Sequence, residues 1–398
     1  MPDPEQSAIA ARMRSELEKL RAGSQFRSLE NPQGISLCSN DYLGLASNPR
    51  LKQAVVDAIA RSSRVGSTGS RLLSGNSAEW EDLEAEFARF VGTEAALYFG
   101  SGYAANIGLL SSILQPGDVV FSDALNHASL IDGIRLSGAA KVIYPHLDLA
   151  FLEKSLRGQK DAPGAKVIVT ESVFSMEGDI APLRELLTLA RAYGAELVVD
   201  EAHATGVCGP QGRGMAAECK CQREILASVH TCGKALASSG AFVCGGNALR
   251  QFLVNRARTF IFSTAMPPYM AGQIGAALEL ARQADAERTH LREIASLLRA
   301  ELRAGGLHFG SSATHIVPII LGSNENALCV AAHLQTNGYA AKAIRPPTVP
   351  AGTSRIRISL TCKIAADDVR RIVAIVAESI AAGGEASLPA THSTTVHA

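Results

Sequence analysis

The chain lacks an excess of charge of either sign: its 398 residues carry 38 basic and 38 acidic side chains, for a formal net charge of zero. That balance offers no basic field of the kind nucleic acid or an anionic membrane demands, so a small-molecule substrate is expected. No apolar run approaches the roughly 20 residues of a membrane-crossing helix, and the polar, acidic start Met1-Pro-Asp-Pro-Glu5 does not read as a secretory leader. The eight cysteines are spread from Cys38 to Cys362, and Cys219-Lys-Cys221 has no second pair at zinc spacing. Reduced thiols, no metal site and a cytoplasmic location are therefore expected.

What is there is an alternation. A charged stretch, Ala8 to Leu20, reads as an amphipathic helix, followed by a polar segment to Gly34. Short β-branched runs then alternate with helical stretches: Ala95 to Phe99, Val119 to Ser122, Lys141 to Tyr144, Val167 to Thr170, Glu196 to Asp200 and Ser228 to Thr231. Gly240 to Gly245 adds one more strand. The pattern predicts an α/β fold with a mostly parallel sheet flanked by helices. A long helix, Gln273 to Leu302, carries the chain into a smaller α+β C-terminal domain with strands His315 to Leu321 and Ser354 to Leu360 and helices Asn324 to Asn337 and Ala366 to Ala382. The expected divisions are an N-terminal segment 1–48, a large domain 49–280, a small domain 281–383 and a Ser/Thr/Ala-rich disordered tail 384–398.

Lys234 stands out. A lone lysine is ordinarily a solvated surface charge. This one follows a Gly at the end of a strand, in a stretch from Leu226 to Val243 whose only other ionisable basic or acidic side chain is His230. Thirty-four residues upstream, Asp200-Glu-Ala-His203 ends another strand. Strand ends are where open α/β sheets place ligands. An amine and a carboxylate there match the needs of a pyridoxal cofactor: a Schiff base, and a partner that keeps the ring nitrogen protonated.

Three other readings of the motifs compete. Asp200-Glu-Ala-His203 spells a helicase acidic box, but that needs an upstream phosphate loop. The nearest candidate lies downstream, with Ser228 in place of its first Gly and Ala235 in place of its hydroxyl. Gly100-Ser-Gly102-Tyr-Ala-Ala105 fits G-x-G-x-x-A after a strand, with Asp123 near the end of the next. Such a loop presents helix N-terminal amides to a phosphate without saying which phosphate. A dehydrogenase gives no reason for the lysine and aspartate. Gly66-Ser-Thr-Gly69-Ser-Arg71-Leu-Leu-Ser-Gly75 reads from turn chemistry alone as a flexible loop.

Seven segments in order resemble the α-oxoamine synthases: Ser39-Asn-Asp-Tyr-Leu-Gly44, Gly66-Ser-Thr-Gly-Ser-Arg71, Gly102-Tyr-Ala-Ala-Asn106, Asn126-His127-Ala-Ser129, Glu171-Ser-Val-Phe-Ser175-Met-Glu-Gly-Asp179, Asp200-Glu-Ala-His203-Ala-Thr-Gly206 and Phe262-Ser-Thr264. The resemblance runs from about Ser39 to Leu360, and Ile344-Arg-Pro-Pro-Thr348-Val-Pro-Ala-Gly352 is similar to the branch that joins L-alanine to a pimeloyl thioester. Branches that use glycine or serine differ most in this segment. The resemblance implies the fold type I of pyridoxal-phosphate-dependent transferases and a homodimer with shared sites. It also implies decarboxylative condensation of L-alanine with a pimeloyl thioester of coenzyme A or acyl carrier protein.

Carried over residue by residue, it makes Lys234 the Schiff-base lysine and later the base at Cα, with Asp200 on the pyridine nitrogen. His127 would stack on the ring and contact substrate, while His203 and Ser175 would lie at the phenolic edge. Gly102, Tyr103 and Thr231 would take the phosphate, with Thr264 reaching it across the dimer. Arg27, with Arg21 competing for the same role, Thr348 and Arg357 would contact substrate, Arg357 as a carboxylate clamp. The chain departs from the family pattern at Cys232 and Ala235, which flank the lysine's turn.

Overall fold

The computed structural model describes residues 7–31 and 33–382, so the expected tail 384–398 lies outside the described residues. The chain divides into two compact units, one of Met1–Ser39, Arg292–Leu360 and Ile364–Ala398, the other of Asn40–Leu291 with Thr361–Lys363. The boundaries thus fall at Ser39 and Leu291 rather than at 48 and 280, and the N-terminal stretch groups with the C-terminal part of the chain. Backbone pairing explains the grouping: Ile35–Ser36 runs parallel to Tyr339–Ala340. Leu37 adds to it by accepting from Ser359 N at 2.8 Å and donating to Ala340 O at 2.9 Å.

The Asn40–Leu291 unit is built on seven strands: β1 (Ala95–Phe99), β2 (Val119–Asp123), β3 (Ala140–Tyr144), β4 (Lys166–Glu171), β5 (Glu196–Asp200), β6 (Ala227–Thr231) and β7 (Ala241–Gly245). Their order is β1-β7-β6-β5-β4-β2-β3. The run from β6 to β3 is parallel, and β7 lies antiparallel between β1 and β6. Helices Gly102–Ile113, Ala128–Ser137, Leu149–Gly158 and Leu183–Tyr193 connect successive parallel strands. Both faces of the sheet are covered, so the central strands are apolar throughout rather than alternating.

Strand geometry sends neighbours to opposite faces. Val120, Val167, Val169, Val198 and Val229 enter one core with helices Gly102–Ile113 and Ala128–Ser137. Val119, Phe121, Ile168, Leu197 and Val199 enter the other with Phe174 and helix Leu183–Tyr193. The same alternation puts Glu171, Asp200 and Thr231 on the first face at the carboxyl ends of β4, β5 and β6, and Asp123 on the second face at the end of β2.

The single helix expected over Gln273 to Leu302 is two helices, Tyr269–Arg282 and Asp285–Ala304. The break is held by buried Arg288, which donates to Ala281 O at 2.6 Å, Arg282 O at 3.2 Å, Asp285 Oδ1 at 2.6 Å and Gly206 O at 3.1 Å. A guanidinium satisfies the orphan carbonyls at the end of the first helix, so the chain can start a new one. In the other unit, strands Ile316–Gly322 and Ser354–Ser359 pair antiparallel, with helices Asn324–Thr336 and Ala366–Ala382.

Candidate active site

A cavity of about 370 Å³ opens at the carboxyl ends of the parallel strands. Gly100 to Tyr103 follow β1, His127 follows β2, Glu171, Asp200 and Thr231 end β4, β5 and β6, Ala202 and His203 follow β5, and Gly233 and Lys234 follow β6; all of these line it. Lys234 sits in a tight turn: Ala237 N donates to Lys234 O at 2.8 Å, and Ser238 N closes onto Cys232 O at 2.9 Å. Cys232 and Ala235, the two departures from the family pattern, are fully buried. Burial pushes the Cys232 thiol far up, so it stays neutral beside the lysine's turn.

Asp200 faces the cavity as a braced carboxylate. Its Oδ1 accepts from Ala202 N at 2.8 Å and its Oδ2 from Asn106 Nδ2 at 2.7 Å. A carboxylate offers about four acceptor positions, so two bonds leave room for a further cationic N–H donor. Asn106 also donates to Ser129 Oγ at 2.9 Å, and Ser129 Oγ meets His127 Nδ1 at 2.7 Å. One hydrogen-bond chain therefore links Asp200 to His127 through two residues given no role by the sequence. Burial and the Lys234 charge hold His127 below the ordinary histidine range, against the opposing pull of Asp200.

Glu171 lies in register with Asp200 on the neighbouring strand. Burial, then the Asp200 charge, raise its carboxyl well above the usual range. Its Oε2 accepts from Ser175 N at 3.3 Å. Ser175 is thus buried behind Glu171 and does not itself line the cavity. His203 is buried, and its Nδ1 meets Tyr42 Oη at 2.6 Å; Tyr42 in turn donates to Asn40 Oδ1 at 3.1 Å. Asn40 lines the cavity. The Ser39-to-Gly44 motif therefore orients this imidazole.

The loop after β1 carries the anion-binding end. Ser101 caps helix Gly102–Ile113, taking Ala104 N on its hydroxyl and Ala105 N on its carbonyl, both at 3.0 Å. The first amides of the helix, at Gly102 and Tyr103, have no intrahelical acceptor. A Cβ on Gly102 would come within 2.6 Å of Thr231 Cγ2, so the loop can pack against β6 only with glycine there. Tyr103 stands edge-on to His127 with ring centroids 6.2 Å apart, and its hydroxyl donates to Asp132. Ser238 Oγ and Asn106 Oδ1 are buried without a partner, and both residues line the cavity. Unsatisfied polar atoms, helix N-terminal amides, an amine and a braced carboxylate together suit a flat, phosphorylated, aldehyde-bearing heterocycle.

Thr264 lines a neighbouring cavity of about 240 Å³ that shares Gly100 and Ser101 with the first. It bridges to Ser70, and Ala265 N donates to Gly69 O at 2.9 Å, so the Gly66-to-Gly75 loop is ordered by this pairing. Arg27, Thr348 and Arg357 belong to the other compact unit. There, buried Arg345 donates to the carbonyls of Ser24 and Phe26, and its own carbonyl accepts from Thr348 N at 3.1 Å, tethering the stretch before Arg27 and the Thr348 loop. Arg357 is half-buried and donates to Ser359 Oγ at 3.3 Å.

Of the residues the sequence left without a role, Asn40, Asn106, Ser129 and Glu171 line the cavity. All four sit inside the recognised motifs, which was their only sequence signal.

The family model "Aminotransferase class I and II" matches residues 32–376. Among curated relatives, an 8-amino-7-oxononanoate synthase of Geobacter sulfurreducens is 45% identical over 91% of this chain and 96% of its own length. Another from Azoarcus is 45% identical over 92% and 96%. A serine palmitoyltransferase structure holding pyridoxal phosphate as an internal aldimine has a TM-score of 0.86 at 28% identity, covering 95% of this chain and 100% of that one. The 8-amino-7-oxononanoate synthase structure of Francisella tularensis has a TM-score of 0.75 at 29% identity, covering 88% and 98%. The chain belongs to the class I and II aminotransferase family and, within it, to the 8-amino-7-oxononanoate synthases of the α-oxoamine synthase group.

Proposed function

We propose that the cavity at the strand ends is the active site of a pyridoxal-5'-phosphate-dependent acyltransferase with the residue roles below. The enzyme condenses L-alanine with a pimeloyl thioester to give 8-amino-7-oxononanoate, a reaction of biotin biosynthesis. The observation that carries the residue roles is the convergence of Lys234, the braced Asp200 and the helix N-terminus at Gly102 on one cavity.

When bound, the cofactor supplies an electron sink for the pair released at the amino acid's Cα. The chain's own groups do the rest. Lys234 would hold the cofactor through its amine and, with that amine free, would remove the Cα proton of the amino acid. Asp200 keeps a proton on the ring nitrogen, and Asn106 and Ala202 N keep Asp200 aimed. Neutral His127 covers one ring face and borders the substrate. His203, oriented by Tyr42, and the Ser175 segment serve the phenolic edge. Gly102, Tyr103 and Thr231 hold the phosphate. The Cα of L-alanine then forms a bond to the thioester carbonyl carbon as the C–S bond breaks and the thiol leaves; carbon dioxide departs, and a proton returns to Cα.

Arg27 and Thr348 recognise the pimeloyl chain, and Arg357 clamps a carboxylate. The donor is pimeloyl-coenzyme A or its acyl-carrier counterpart. A homodimer in the cytoplasm completes the proposal. It is supported by the exposed Val65, Leu73 and Phe262 on the segments that carry Thr264 and its partner loop. The roles are tested by absorption spectroscopy: purified protein given the cofactor gains a visible band, and Lys234→Ala loses it. A colourless wild type, or a band that survives the substitution, contradicts the assignment of Lys234.

A further inference from the structure

On the second face of the sheet, away from the cavity, lies a cluster that the chemistry above does not use. His146 Nδ1 is 2.9 Å from Asp123 Oδ1, and His146 Nε2 is 3.0 Å from Asp179 Oδ2. Both carboxylates are nearly fully buried, with side chains 0% and 6% exposed, and the imidazole is 20% exposed. Carboxylate oxygens only accept, so two short contacts require a proton on each ring nitrogen, and His146 is an imidazolium between two anions. The ring is also fixed in plane: Phe174 meets it at 4.4 Å and 87°. Tyr144, at the end of the neighbouring strand, is a further titratable group facing Asp123, and burial keeps its phenol neutral.

Each carboxylate terminates a segment that leads into the cavity. Asp123 ends β2; its Oδ1 accepts from Leu125 N at 2.8 Å and its Oδ2 from Leu147 N at 3.0 Å, while its carbonyl accepts from Asn126 N at 3.3 Å. Four residues on stands His127. Asp179 closes the turn that holds Ser175: Phe174 N donates to Asp179 O at 3.1 Å, Ala181 N to Ser172 O at 3.0 Å, and Val173 bridges Ile180. We propose that His146 is a positioning residue, a charged strut that locks the Asp123-to-His127 loop and the Ser172-to-Ala181 turn in one arrangement. His127 at the cavity and Ser175 behind Glu171 then share a common support. The inference rests on the roles proposed above for those two residues.

The experiment is His146→Gln in the full chain, read in two ways. In the cofactor-free protein, amide hydrogen exchange is expected to quicken in both segments, 123–127 and 172–181, and not in β5. In the holoenzyme, kcat is expected to fall by about tenfold or more while KM for L-alanine moves little, since misplacing a catalytic group by about 1 Å costs up to about a hundredfold. Unchanged exchange in both segments overturns the strut, and faster exchange with unchanged kcat overturns its bearing on the reaction. Should the Gln variant fail to fold, Asp179→Asn keeps the shape and removes one charge. It must show the same changes in smaller degree, and exchange and kcat both at wild-type values overturn the proposal. A wild type that forms no visible band defeats the cofactor reading instead, while the exchange measurement still decides the strut.

Discussion

Asn106 shows how far a single residue determines the site. Its amide Nδ2 serves Asp200 Oδ2 and Ser129 Oγ at once, and Ser129 passes the constraint on to His127. Asn106→Ala removes one donor from the buried Asp200 carboxylate and one from Ser129, which costs about 1–3 kcal/mol for groups left unpaired. Chemical denaturation is expected to show that loss, with a matching drop in kcat/KM. Asp200→Asn removes the charge itself; hydrogen bonds to charged groups are worth about 1.5–3 kcal/mol, so kcat/KM is expected to fall roughly ten- to a hundredfold. An unchanged kcat/KM would show that the ring nitrogen has another partner. His146 gives the pH dependence. Burial alone would lower its pKa, but the hydrogen bonds and charges of Asp123 and Asp179 outweigh that and push it up to about 10. The folded pKa lies above the ordinary value near 6.5, so the pair's stabilisation is full below about pH 6.5 and is lost as pH rises toward 10. The melting temperature of wild type is expected to decline across that window, and that of His146→Gln to decline less.

At the scale of elements, the strands of the large sheet were legible because both faces of the sheet are covered, and residues such as Val167 to Thr170 read as unbroken β-branched runs. The site was legible where a motif ends a strand: Asp200 closes β5, and Lys234 follows β6. What was not legible depends on partners distant in sequence. The break between Arg282 and Asp285 needs Arg288 and the carbonyl of Gly206, and no periodicity announces a bond across 82 residues. Ile35–Ser36 is too short to have a period, and its pairing with Tyr339 draws the N-terminal stretch into the other unit. Gly206 itself has φ +83, and a Cβ there would sit 2.7 Å from Ala235 Cβ. The loop after Asp200 can therefore pack on Ala235 in the lysine's turn only with glycine at 206. Gly102→Ala tests the other close approach. Its Cβ meets Thr231, so cofactor affinity is expected to weaken by about tenfold, or 1.4 kcal/mol, in equilibrium titration. Unaltered affinity would remove the phosphate from this loop.

At the scale of the whole molecule, the chain has zero net charge, eight free cysteines and, among the described residues, no helix long and apolar enough to cross a membrane. All eight thiols are expected to react with a thiol reagent after denaturation without reductant; fewer would reveal a disulfide. The most direct test is thiol release from pimeloyl-coenzyme A, followed with L-alanine, glycine or L-serine as the amino acid. The account predicts release that depends on L-alanine, is weak with the other two and is abolished by Lys234→Ala. Release that prefers glycine or serine, or that survives the loss of Lys234, would contradict it.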